Sequence, residues 1–236
     1  MKALSKRLTM AITLAATVTL YGCGDNDDPA AMRTFDVTVT NLTNSQPMSP
    51  VAVVAHNGGF SSFSVGQPAS AGLELLAEGG DNSDFIAAAD TSAAVFSTAS
   101  GAGAIGPGGS ETVSVSVPDA NATDLLLTVM TMLVNTNDAF SGVSGLRVAD
   151  LQPNQSDTVR GISYDAGTES NTEAASDLPG PAGNGEGFNA ARDDRADAVT
   201  SHSGVVTADD GLATSGLNES HRWLNPVVQI SVTRTQ

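Results

Sequence analysis

The sequence is short of residues on which many protein functions depend. It has one cysteine, and only 10 Lys plus Arg stand against 26 Asp plus Glu, so its formal net charge is −16. Binding to nucleic acid needs a basic surface that releases counterions, and this composition excludes it as the main function. A lone cysteine forms no disulfide within its own chain, so the fold must depend on its core or on a bound metal ion.

Common catalytic motifs are also missing. The sequence has no Gly-x-Ser-x-Gly, no His-Glu-x-x-His, no Walker loop, and no Gly-x-Gly-x-x-Gly set between a strand and a helix. His56, His202 and His221 share no metal-ligand spacing, so ordinary hydrogen-bonding roles are favoured over a zinc site. We therefore expect a protein that is not an enzyme.

Residues 1–22 are predicted to be a signal peptide. An uncharged, largely apolar run over residues 8–20 follows three basic residues, Lys2, Lys6 and Arg7. Such a run is shorter than the roughly 20 residues that span a bilayer as a helix. We therefore interpret it as a targeting segment and exclude it from the fold.

The end of this segment predicts a lipid anchor. Leu20-Tyr21-Gly22-Cys23 resembles a bacterial lipobox, in which cleavage precedes the cysteine and the thiol carries a diacylglycerol. Gly24, rather than Asp, follows the cysteine, which in similar lipoproteins favours the outer membrane. We expect an exported protein of the bacterial envelope, with several acyl chains giving stable anchoring at Cys23.

Residues 23–33 are short, polar and acidic, and they predict a flexible tether. Without the three basic residues of the signal peptide, seven positive residues remain against 26 acidic ones, a net charge of −19. A local calcium loop from Asp25, Asp27 and Asp28 is the alternative, and it is disfavoured because the expected glycine turn is missing.

The rest of the chain, residues 34–236, predicts one all-β domain. Apolar and polar residues alternate in several segments bounded by Gly, Pro and Asn turns, as in half-buried strands. Strands are expected over residues 35–39, 51–56, 111–117, 125–134, 159–164 and 227–233. This pattern indicates an antiparallel β-sandwich with long loops.

Helical and irregular segments interrupt these strands. One short helix is expected over residues 69–77 and a second over 85–94, with a Gly, Ala and Ser loop over 97–110. Gly142-Val143-Ser144-Gly145 is interpreted as a turn. The pattern disappears over 172–210, and so long an excursion in a compact domain is either functional or disordered.

Two segments place acidic side chains at predicted strand ends, where the loops of a sandwich cluster. One contains Asp138; the other contains Asp165 and Glu169, which are four residues apart with Gly167 between them. The glycine allows the chain to curl so that both acids face one ion, and oxygen ligands of this kind suit calcium. A solvated acidic turn explains the same residues and stays open on spacing alone.

These segments resemble the spondin N-terminal domain family. The resemblance rests on Asn137-Asp138-Ala139-Phe140-Ser141-Gly142-Val143, Tyr164-Asp165-Ala166-Gly167-Thr168-Glu169 and His221-Arg222-Trp223-Leu224-Asn225-Pro226. It extends to Ser49-Pro50-Val51 and to the segment from Gly66 to Leu73, so it covers about residues 34–236.

The resemblance implies a C2-like antiparallel β-sandwich, with a calcium ion held by loops at one end. Carried over residue by residue, its acidic ligands fall on Asp138, Asp165 and Glu169. The family pattern has Asp where Glu169 stands, and the cysteines of the animal domains are absent. Metal binding would then contribute more to stability, because the ion binds only the folded state.

The expected function is a membrane-anchored, non-enzymatic adhesion or binding domain. Its partner would be an extracellular or envelope protein or a glycan. The first alternative is a hydrolase that uses the same carboxylates as acid and base on a glycan or an ester. The second is a structural subunit of an envelope assembly.

Overall fold

The computed structural model describes residues 31–192 and 197–236. Within these residues the chain forms two antiparallel sheets that face each other, with two α-helices on the outer side of the larger sheet. The predicted antiparallel β-sandwich is confirmed. The predicted signal peptide and Cys23 lie outside the described residues, as does most of the predicted tether, and the first strand begins at Met32.

The described residues form two α-helices and ten β-strands. The α-helices are α1 (Ala71–Gly79) and α2 (Ser83–Asp90). The strands are β1 (Met32–Asn41), β2 (Ala52–His56), β3 (Val95–Ser100), β4 (Ser110–Pro118), β5 (Leu126–Met132), β6 (Ala139–Arg147), β7 (Ser156–Gly161), β8 (Ser163–Asp165), β9 (Thr200–Ser201) and β10 (Val228–Arg234).

The smaller sheet has the order β4-β1-β10-β7, and the larger has the order β3-β2-β5-β6-β8-β9. Alternation along β1 places Phe35, Val37 and Val39 inside, where they meet valines of β4 and β10 and the inner face of β2 and β5. Burial of this apolar surface is the main stabilising contribution, at about 25 cal/mol per Å².

A second apolar cluster covers the outer face of the larger sheet. Ser70 caps α1 by accepting a hydrogen bond from the backbone N–H of Leu73, and Gly80 ends the helix in the left-handed conformation. Leu73 and Leu76 are fully buried against β5 and β6. Because both faces of β5 are covered, its sequence is almost continuously apolar, as predicted for a central strand.

Two strands lie where the sequence predicts other structure. β3 occupies part of the expected loop over 97–110, and β6 contains the expected turn at residues 142–145. Gly142 and Gly145 have φ of +154° and +78° inside β6, and the β5–β6 ladder shifts register between Leu127 and Val129. Glycines that accommodate this irregular backbone conceal the strand pattern.

The predicted strand over 159–164 is divided between the two sheets. β7 is an edge strand of the smaller sheet, whereas β8 pairs with β6 in the larger one, and Ile162 lies at the crossing. This crossing brings β8 beside the start of β6. Among the residues that the structure describes, no helix has the length and apolar character needed to cross a bilayer.

Candidate functional site

Two of the predicted ligands meet where β6 begins and β8 ends. Asp138 directly precedes β6, and Asp165 is the last residue of β8, paired with Ala139 across the ladder. The backbone N–H of Ala166 donates to the carbonyl oxygen of Asp138 at 3.2 Å. Antiparallel pairing of the two strands therefore places both carboxylates at one end of the sandwich, as the sequence predicts.

The carboxylate of Asp138 is fully buried and only partly satisfied. Its Oδ2 accepts hydrogen bonds from the backbone N–H groups of Thr168 and Glu169, at 2.9 and 3.1 Å. Its Oδ1 is buried and has no hydrogen-bond partner among the described residues. A buried carboxylate oxygen without a partner is costly, so this atom is the natural position for a cation or a proton.

The pKa of Asp138 also favours a cation or a proton at this position. Burial, followed by the negative charge of Asp165, raises the pKa of Asp138 to about 7, even though two backbone N–H groups favour its charged form. Two like charges in a low-dielectric site repel each other, and a cation between them would remove that repulsion.

Asp165 is held by the turn that follows it. Its Oδ1 accepts from the backbone N–H of Gly167 at 2.9 Å, and its Oδ2 accepts from the side-chain amide of Asn171 at 2.7 Å. Gly167 has φ of +73°, and a Cβ there would lie 2.8 Å from the backbone nitrogen of Ala198. Only glycine fits this close approach, as the predicted curl of the loop requires.

The side chain of Glu169, the third predicted ligand, has other partners. Its backbone N–H binds Asp138, but its Oε1 lies 2.6 Å from Nε of Arg192, and its carboxyl group also contacts Glu78. Burial and the charge of Glu78 raise the pKa of Glu169 to about 8, against the opposing effect of Arg192. The structure thus brings Asp138 and Asp165 together and places the Glu169 carboxylate against a cationic side chain.

Two further titratable residues surround the pair, and the sequence analysis did not assign them to the site. Glu173 is buried, its Oε1 accepts from the backbone N–H of Val206, and burial raises its pKa. His202 is buried, its Nδ1 accepts from the backbone N–H of Gly204, and its Nε2 has no partner among the described residues. Burial lowers the pKa of His202, with the charge of Asp165 opposing that effect.

Glu173, Arg192 and His202 lie in the excursion over 172–210, where no periodic pattern marked them. Part of this segment packs through a small apolar cluster that includes Leu178, with Val205 and Leu217 around it. The only available signal was the length of a segment too long to be an ordinary connection.

Convergence on a complete metal site is not observed. Among residues 31–192 and 197–236, no group of three or more His, Cys, Asp or Glu side chains is arranged to hold a metal ion. The histidines have local partners instead: His56 contacts Thr128 and Asn57, and His221 accepts from the backbone of Asn218.

Comparison with known protein families gives a match over more than half of the chain. The family model described as Spondin_N matches residues 40–180. The chain belongs to the spondin N-terminal domain family. The match contains Asp138, Asp165 and Glu169, and family membership supports an extracellular-type binding domain. No curated protein matched the chain.

Proposed function

We propose that this spondin-type chain is an exported, lipid-anchored binding domain whose loops are fixed by one calcium ion at Asp138 and Asp165. The observation that carries the calcium assignment is the buried Oδ1 of Asp138, which has no partner among the described residues and lies in the field of a second carboxylate. Carboxylate oxygens are the donors that calcium prefers.

The two carboxylates suit a hard divalent cation in their chemistry. Each carboxylate is already oriented by backbone or amide hydrogen bonds, so little ordering is needed for them to bind an ion. A bound calcium ion would neutralise the charges of the two carboxylates. It would also link the segment before β6 to the turn after β8. Glu169 would contribute as a ligand only after separating from Arg192.

Binding is favoured over hydrolysis because of where these carboxylates lie. Asp138 is fully buried and Glu169 is 4% exposed, so only the partly exposed Asp165 is within reach of a sugar or ester substrate in this conformation, whereas the alternative needs two carboxylates. A general acid must come within hydrogen-bond reach of the reacting bond. The ion therefore has a structural role in the proposal, and recognition of an envelope or extracellular partner falls to the surrounding surface.

The proposal also includes export of the protein and its attachment to a membrane through a lipid. The basic segment, the apolar run and the lipobox-like residues before Cys23 support a lipid anchor in the bacterial envelope, with Gly24 favouring the outer membrane. The acidic tether would then hold the sandwich away from the bilayer.

Thermal unfolding of the purified protein in detergent, in EDTA and in millimolar calcium, tests the calcium assignment. Calcium is expected to raise the midpoint, because an ion that binds only the folded state stabilises it by about 2.7 kcal/mol at a hundred times its Kd. Asp165→Asn, which keeps the side-chain shape and one oxygen, is expected to remove most of that rise.

The matched control is Asp157→Asn, which removes the same charge from an exposed position on β7. This variant should respond to calcium like the unaltered protein. No calcium-dependent rise in the unaltered protein would contradict the assignment, and so would an equal loss in both variants.

A further inference from the structure

A cleft of about 350 Å³ lies near the point where the chain crosses between the two sheets. Residues of β6, β7 and β8 line it, together with Phe63 from the segment after β2. The β6–β8 ladder ends at the Ser141–Ser163 pair, so the part of β6 that lines the cleft has no ladder partner on that side. Its volume is within the range of roughly 300–1,000 Å³ typical of small-ligand sites.

Arg160 supplies the positive charge of this cleft, and it is not engaged elsewhere. It is exposed on β7, where its backbone pairs with β10, and its side chain has no hydrogen bond or ion pair within the described part of the chain. Every other arginine in that part donates to a carboxylate or a carbonyl oxygen: Arg33, Arg147, Arg192, Arg222 and Arg234. In so acidic a protein, an unpaired guanidinium in a cleft is available for an anionic ligand.

Aromatic rings form a fixed wall of the same cleft. The ring centroids of Phe63 and Tyr164 are 4.8 Å apart, and Phe140 stacks on Tyr164 at 5.4 Å with an interplanar angle of 23°. Phe140 is fully buried, so its position against Tyr164 is fixed by the core. The rings are therefore held in place before any ligand arrives, which reduces the entropy lost on binding.

These features together define a ligand class. A guanidinium binds a carboxylate through two parallel hydrogen bonds, the aromatic wall suits a flat apolar ring face, and the exposed hydroxyl of Ser144 can bond a ligand hydroxyl. We propose that this cleft binds a sugar ring that carries a carboxylate, such as a uronic acid unit of an envelope or extracellular glycan.

The net charge of the protein further restricts the class of ligands that this cleft can bind. The net charge of −19 that remains without the signal peptide repels densely charged polyanions at long range, whereas a ligand with one carboxylate per ring needs only the positive charge of Arg160. The proposal names a ligand for the proposed binding function. It does not require calcium, although Tyr164 immediately precedes the proposed ligand Asp165.

Isothermal titration of the purified protein in detergent with methyl glucuronide, in calcium and in EDTA, tests the proposal. Methyl glucoside is the neutral comparison, and N-acetylphenylalanine tests a peptide-like carboxylate. We expect saturable binding of the glucuronide at millimolar concentration, weakened at least about tenfold in Arg160→Met because a charge-assisted pair is lost. The glucuronide should also bind more tightly than either comparison compound.

Arg147→Met is the matched control, since it removes the same charge from an exposed arginine on β6 outside the cleft. It is expected to change binding by less than about twofold, because exposed charges contribute little at a distance. The proposal is overturned if the glucuronide does not bind, if methyl glucoside or N-acetylphenylalanine binds equally well, or if both arginine variants lose binding alike. Calcium-dependent unfolding of the same samples separates these failures from a failure of the calcium site.

Discussion

Asp138 has a role in the fold and a role in the proposed function. Its Oδ2 organises the turn after β8 through two backbone hydrogen bonds, while its Oδ1 is left buried without a partner in the described structure. An unpaired buried acceptor costs about 1–3 kcal/mol, and a purely structural role for Asp138 does not account for this cost. The arrangement is explained if a cation or a proton completes it.

The titration of Asp138 gives a prediction for the metal-free protein. Its pKa is about 7 in the folded state and about 3.9 in the unfolded chain. The folded state therefore holds the proton more tightly, so the free energy of unfolding is greatest below the unfolded pKa and falls as pH rises to about 7. Between about pH 5 and pH 8 in EDTA, the loss from this residue should be roughly 2–3 kcal/mol.

Urea unfolding at a series of pH values measures this loss. Asp138→Asn should remove roughly 2–3 kcal/mol of the decline and leave the part that the raised pKa values of Glu169 and Glu173 contribute, whereas Asp157→Asn should leave the whole decline unchanged. Calcium should have the opposite dependence, stabilising more at higher pH, because its ligands must be deprotonated. A decline as steep in Asp138→Asn as in the unaltered protein would show that another group is responsible.

At the scale of single residues, the sequence predicts Asp138 and Asp165 as members of the site, but it does not predict which residues surround them. Both acids belong to short motifs at strand ends, which can be recognised from neighbouring residues alone. Arg192 and Glu78 are distant in sequence from Glu169, and they meet it only because the excursion after β8 returns to the end of α1. No local pattern encodes such a contact.

At the scale of elements, the turn from Tyr164 to Glu169 depends on one backbone conformation. Gly167 has φ of +73°, and a Cβ at this position would lie 2.8 Å from the backbone nitrogen of Ala198. Gly167→Ala is expected to lower the free energy of unfolding by about 1–3 kcal/mol and to weaken the calcium response, because the new Cβ displaces the turn that orients Asp165.

Urea denaturation with and without calcium measures this effect. Gly103→Ala is the control, since a Cβ at that glycine meets nothing within 4 Å, and its effect should stay within about 0.5 kcal/mol. Equal stability of the two variants would contradict the role given to the turn.

The elements differ in how far their sequences predict them. β1 and β4 alternate cleanly because one face is buried and the other is exposed, and α1 has its Ser70 cap and glycine end. β6 was missed because its glycines remove the alternation, and β3 because none of its six residues is fully buried. The division between β7 and β8 depends on which sheet each segment joins, a choice made by tertiary packing.

At the scale of the whole molecule, the acidic charge and the proposed lipid anchor would act together. The net charge of −19 that remains without the signal peptide would attract divalent cations toward the surface and disfavour polyanionic partners. An anchored protein would gain affinity for surface-bound ligands, because attachment raises their effective concentration.

Attachment itself is checked by fractionating cells that produce the full chain. Cys23→Ser removes the thiol that the lipid would occupy, and we expect this variant to leave the membrane fraction. Gly24→Ala keeps the thiol and should remain membrane-bound. Persistence of Cys23→Ser in the membrane fraction after a salt wash would contradict lipid attachment at this cysteine.

The central claim is that one calcium ion completes the site at Asp138 and Asp165. Direct calcium titration of the purified protein at about pH 8, above the pKa of about 7 that Asp138 has in the fold, tests this claim most directly, because calcium binds the deprotonated carboxylate. We predict one ion per chain in the unaltered protein and in Asp157→Asn, and none in Asp138→Asn. The absence of calcium uptake by the unaltered protein, or equal uptake by Asp138→Asn, would contradict the claim.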